Sequence, residues 1–201
     1  MQPVQQLARL EAYLGSLPGG LNAFPECQAK GVLVRMLAAE EAYLGIAALL
    51  PPPFRAMVEE PPIGSEWMPE VHFEALMYAL ADAVGQDDAT MLAHVRARDR
   101  RMFESPAYRI LMVANGPAAL LRGAQMRWAN WHRGSTLEVE GIADDGVRVA
   151  LRFPSGLFDG LQLRVFAESF LAALDASQAR APRVEILAAD PGMARYRVAW
   201  G

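Results

Sequence analysis

Apolar residues recur at three- and four-residue steps through the first part of the chain and at every second position near its end, so helices precede strands. Leu7, Leu10 and Leu14 mark a helix over residues 3–15, stopped by the Pro18-Gly19-Gly20 turn. Val32, Leu33, Met36, Leu37, Tyr43, Leu44 and Ile46 predict a second helix from about residue 26 or 28 to 50, where Pro51-Pro52-Pro53 ends it. The stretch to Trp67 reads as an irregular connection with a short helix near residues 54–59. Another helix opens at Pro69 with Glu70 at its positive end, carries Phe73, Leu76, Met77, Leu80 and Val84, and closes at Gly85. Asp87-Asp88 start a further one, with Met91, Leu92, Val95 and Met102 on one side and the basic run 96–101 on the other. After Ser105-Pro106, helix resumes over 108–114, and Pro117 opens a last helix through Trp128, Trp131 and His132 to Gly134.

From Ser135 the period changes to two. Residues 136–140 alternate, Asp144-Asp145-Gly146 supplies a hairpin turn, and Val147, Val149, Leu151 and Phe153 share one face of the next strand. Residues 156–177 form a long helix that is apolar nearly all round, hence buried on two sides, either between sheet and helices or against a second subunit. Residues 183–187 pair across Asp190-Pro191-Gly192 with 194–200. The fold class is α+β: N-terminal helices packed on a four-stranded antiparallel sheet built hairpin, helix, hairpin. We expect one domain over residues 1–201, helical to 134 and hairpin-helix-hairpin from 135. Glu138, Glu140, Arg148, Arg152, Arg183, Glu185, Arg195 and Arg197 read as the sheet's solvated face.

At 201 residues and 53% apolar, the chain can bury a sizeable core. No stretch is long and apolar enough to span a membrane, and the first twenty residues lack a basic start followed by an apolar run. A single cysteine, Cys27, excludes an intrachain disulfide and fits a reducing, cytoplasmic setting. Net charge is −4 but uneven: residues 1–88 hold twelve acids against four bases, and 89–133 hold two acids against eight arginines. Such segments complement each other within a chain or across a homodimer. The acidic balance and the lack of a recognition-helix motif argue against nucleic acid.

The sequence carries no phosphate-cradling glycine loop, nucleophile elbow or His-Glu-x-x-His pair, so no catalytic residue is assigned and no enzyme is expected. An enzyme would need His72, His94, Asp99 and Tyr108 to converge in space. The three histidines, His72, His94 and His132, have no zinc spacing, and no metal is assigned. A single histidine needs no local motif to ligate haem, which stays as the alternative. The ligand-pocket candidates are Trp67, Tyr108, Arg109, Trp128, Trp131 and His132. Trp128 and Trp131, three apart on one helix face, pack in the core or wall an apolar pocket with Arg109 or Arg127 as polar anchor. Trp67 and Phe73 offer a second aromatic pair to close it.

Residues 127–200, from RWANWHRGSTLEVEG to the closing Val198-Ala199-Trp200, resemble the C-terminal part of an uncharacterised family expanded in myxobacteria. The order of elements is similar to the superfamily of bacterial 4-vinyl reductase-type ligand domains, haem nitric-oxide-binding domains and TRAPP vesicle-tethering subunits. That resemblance implies helices on a four-stranded sheet, a hydrophobic cavity in several members, and a signalling or interaction role. The haem domain's Tyr-x-Ser-x-Arg clamp does not occur at Tyr108-Arg109-Ile110 or Tyr196-Arg197-Val198. We therefore expect a non-catalytic regulatory or protein-interaction domain without a cofactor, with an apolar small molecule or lipid as possible ligand and a protein partner. The alternative is a haem or other small-molecule sensor.

Overall fold

The computed structural model describes residues 7–106, 108–109, 117 and 120–201. Most of the helix expected over 108–114 lies outside these residues. The chain groups into two compact units, Met1–Asp88 with Trp131–Gly134, and Ala89–Asn130 with Ser135–Gly201.

In the first unit α1 (Ala8–Ser16), α2 (Gly31–Ala38) and α3 (Pro52–Glu59) surround α4 (Glu70–Ala83). Every residue of α4 except His72 is buried, so the single stripe expected from sequence understates how central this helix is. The first turn of α1 has no cap of its own, because Leu7 cannot supply one. Asp82 supplies it instead, accepting from the backbone N–H groups of Arg9 (2.8 Å) and Leu10 (3.2 Å). Arg9 completes the clamp through Asp82 Oδ1 (2.6 Å), Asp88 (3.0 Å) and the Gln86 carbonyl (2.8 Å).

The run expected as one helix to residue 50 is instead strand β1 (Gln28–Lys30), α2, and two single 3-10 turns, Glu41–Tyr43 and Ala47–Leu49. Close packing sets one end and a left-handed residue the other. A Cβ on Gly31 would lie 2.4 Å from the Ile63 carbonyl oxygen, and Gly45 adopts φ 77°, which a helix cannot continue through. β2 (Trp67–Pro69), expected as irregular chain, pairs antiparallel with β1 on one side. On the other side β1 takes β3 (His132–Arg133).

The second unit carries α5 (Asp88–Glu104), α6 (Ala124–Ala129), α7 (Gly160–Ala176) and a sheet of β4 (Thr136–Ala143), β5 (Gly146–Arg152), β6 (Arg183–Asp190) and β7 (Met193–Ala199). The strand order is β4-β5-β7-β6, antiparallel throughout, which is the four-stranded sheet the alternation predicts. Both edge strands carry a bulge, at Val139/Gly141 and Ile186/Ala188, which disrupts the regular ladder along the free edges. The outer face is laced by Arg152–Glu138, Arg195–Glu140 and Arg197–Asp145 pairs. On the inner face the Tyr196 hydroxyl donates to the Leu163 carbonyl (3.2 Å), and its ring meets Phe170 edge-on. Burial pushes the Tyr196 hydroxyl's pKa up.

Helix α7 starts at Gly160 rather than at 156, where φ is 90°. Asp159 sets the start through a capping box, accepting from the Leu161 and Gln162 N–H groups while Gln162 accepts from Asp159. Away from the sheet, α7 is tied to α5 by Arg96–Asp175 (3.0 Å) and by Ser169 donating to Asp99 (2.5 Å). No helix of the described residues is long and apolar enough to cross a membrane.

Candidate ligand site

The small sheet of the first unit separates the candidates by parity. Residues paired across strands share a face, and neighbours along a strand alternate. Trp67 pairs with Lys30, and Arg133 with Gln28, on one face. There the Trp67 ring holds Lys30 Nζ 4.2 Å and Arg133 Cζ 3.9 Å from its centroid. Trp67 makes no ring contact with Phe73, so that expected aromatic pair does not form among the described residues.

His132 pairs with Ala29 and lies on the opposite, inner face. Its Nδ1 sits 3.0 Å from both carboxylate oxygens of Glu70, with side chains only 7% and 0% exposed. Cys27 lies in the same region: its carbonyl accepts from the Glu70 N–H (2.9 Å), and burial, then Glu26 and Glu70, push the thiol up to about 12. Gly134 passes so close that a Cβ there would meet Cys27 Sγ at 2.6 Å.

Trp128 and Trp131 do not share a helix face. Helix α6 ends at Ala129, and Trp131 begins the short excursion that donates β3, its carbonyl accepting from the Lys30 N–H at 2.9 Å. His132 is therefore a strand residue, not part of the helix expected to run to Gly134. Trp128 is half-buried at the side of the second unit's core, donating from Nε1 to Ser135 (3.1 Å) and packing edge-on against Phe166 at 5.2 Å. From Phe166 the ladder of rings continues to Phe158 and Phe153.

Tyr108 packs edge-on against Phe103, and Arg109 is exposed, which removes it as a buried anchor. Arg127 differs. Its Nη2 is buried with no hydrogen-bond partner, and burial, with no neighbouring acid to offset it, lowers its pKa. The guanidinium lies against Gly123, where a Cβ would meet Nη1 at 2.5 Å. Both residues belong to the second unit.

Of the residues an enzyme would need, His72 belongs to the first unit and His94, Asp99 and Tyr108 to the second. Asp99 is buried and committed to Arg98 (2.8 Å) and Ser169, which leaves it no role as a base. His72 is half-buried on α4, its pKa lowered by burial against a hydrogen bond to the backbone of Leu21, whereas His94 belongs to α5 in the other unit. Among the described residues no group of three or more His, Cys, Asp or Glu side chains can hold a metal ion.

The architecture is that of the H-NOX class of domains. An Fe(II) unliganded H-NOX protein from K. algicida superposes with a TM-score of 0.55 at 10% identity, covering 86% of this chain and 96% of its own. An oxygen-binding H-NOX domain related to soluble guanylate cyclases gives 0.54 at 10%, covering 85% and 92%. A further solved structure concerns haem distortion in the H-NOX family, at the same TM-score and identity. The likeness is one of fold. No family model matches the chain, and no curated protein matches it by sequence. The expectation of a chain without a cofactor is corrected here, because the fold it adopts is one whose solved examples are described with Fe(II) and haem. That expectation leaned on the missing Tyr-x-Ser-x-Arg clamp, and a fold can be shared where one motif is not.

Proposed function

We propose that the chain is the ligand-binding domain of a small-molecule sensor, with haem as its bound group, acting by binding rather than catalysis. The H-NOX fold carries this reading. The chemistry of the histidines fits it. His132 is oriented by a buried carboxylate on Nδ1, the arrangement that commonly fixes a metal-ligating imidazole, while His72 and His94 are the other two possible axial ligands. In this reading the protein works in the cytoplasm and passes its signal to a protein partner or a second copy of itself.

The test is the absorption spectrum and native mass of the full chain purified from haem-replete cells, followed by titration of the purified chain with hemin. A Soret band and one haem of added mass are expected, lost or shifted by one of His72→Ala, His94→Ala or His132→Gln. A colourless chain that takes up no hemin refutes the haem reading.

A further inference from the structure

The two edges of the large sheet differ. Helix α6 packs close to β4, whereas β6 meets β7 on one side and α7 on its inner face, and no described residue pairs along its other side. A bare strand edge is a template for another strand. Near its middle stands Leu187, the extra residue of the bulge and 45% exposed, with half-buried Val184 and Ile186 before it on the inner face. Arg183 and Asp190 bracket the strand, both exposed, and neither has a side-chain partner among the described residues.

The bulge decides what can pair there. Before it Arg183 and Glu185 point to the outer face, and after it Ala188 and Asp190 do, because all four pair with the outer-face residues of β7. Without the extra residue, positions 183 and 190 would lie on opposite faces. With it, two copies of β6 can run antiparallel about a two-fold axis along their whole length while every outer residue meets an outer one. Arg183 then lies opposite Asp190 of the second copy at both ends, Val184 opposite Ala189, and Glu185 opposite the small Ala188. Ile186 and Leu187 surround the axis, so the exposed leucine is covered by its own mate. A two-residue slip in one direction would shorten the ladder and set Glu185 against Asp190, two acids.

We propose that the free edge of β6 is the docking surface for a second copy of this chain, joined edge to edge into one continuous sheet. This goes beyond the sensor reading above and does not depend on haem. The test is sedimentation velocity of the full chain from about 1 to 200 μM, since a single strand pair is a small interface and a Kd of about 1–100 μM is expected. Leu187→Lys should abolish the dimer. Arg183→Glu and Asp190→Arg each turn two attractive contacts into repulsive ones and should raise the Kd about 10-fold or more. Arg183→Glu/Asp190→Arg restores opposite charges across the axis and should return it to within about 3-fold of the wild type. All of these residues are exposed, so every variant should melt close to the wild type.

A chain monomeric throughout this range overturns the proposal. So does a dimer that survives Leu187→Lys or either single reversal, which would place the contact on another face. A charge swap no better than its singles overturns the pairing of Arg183 with Asp190 and with it the proposal. Hemin uptake is read separately by absorption: a dimer without haem retires the haem reading alone, and haem in a monomer retires the dimer alone.

Discussion

Replacing His132 by alanine should cost the first unit a large part of its stability, because Glu70 would be left buried without its hydrogen-bond partner. The carboxylate is fully enclosed, both of its oxygens face the same Nδ1 at 3.0 Å, and no other side chain of the described residues hydrogen-bonds to it. Removing one partner of a buried pair typically costs about 3–5 kcal/mol, whereas exposed pairs are worth about 1 kcal/mol or less. With a urea slope of about 2–3 kcal/mol per molar for a chain of this size, the midpoint should fall by about 1–2 M. The assay is a urea titration followed by far-UV circular dichroism and by fluorescence, where Trp67 and Trp131 report on the first unit. The decisive comparison is the double variant Glu70→Leu/His132→Phe, which removes the buried carboxyl group together with its partner. It should recover at least half of the single variant's loss. A loss below about 1 kcal/mol for His132→Ala would place the pair with the exposed ones and refute the reasoning. So would a double variant as unstable as the sum of its parts.

Three further outcomes follow from the same structure. Gly134→Ala should lower stability by about 3 kcal/mol or more, since φ is 76° there and the new Cβ would overlap Cys27 and the Glu26 carbonyl; a melting temperature within a degree of wild type contradicts this. Asp159→Ala removes the cap of α7 and should cost about 1 kcal/mol in a urea titration, with Asp159→Asn recovering most of it. Burial lowers the pKa of His72 below its ordinary 6.5, so the unfolded chain binds the proton more readily. Its contribution is therefore complete above 6.5 and is lost as pH falls through that value toward the folded one. Melting curves from about pH 8 to pH 5 should show a shallower acid decline for His72→Gln than for the wild type.

Much of the second unit was legible because its signals are local. Asp-Asp-Gly and Asp-Pro-Gly turns separate alternating runs, and the alternating Arg and Glu residues do form the paired outer face. Only the ends moved, as where Asp159 rather than Gly156 opens α7. The first unit was harder. Gln28–Lys30 and Trp67–Pro69 are three-residue strands, too short to show a period, and they exist because each finds a partner far along the chain. Glu70 read as a charge at a helix start, and nothing near it announced a histidine 62 residues on. Trp128 and Trp131 have helical spacing, but spacing cannot tell that the helix stops between them. The sequence offered Arg127 as one of two polar anchors, without a way to choose between them. Its lack of a partner is a property of three dimensions.

The four residues Trp131–Gly134 leave one compact unit, serve the other and return. The units are thus interleaved along the chain, and no single cut separates them. A fragment ending at Asp88 would lack β3, baring the Gln28–Lys30 edge and stranding the Glu70 carboxylate, while a fragment beginning at Ala89 would carry an orphaned strand looped out of its middle. Heritable change faces the same constraint: recombination at any one boundary breaks a unit, so the two halves are transmitted together or with residues 131–134 grafted along.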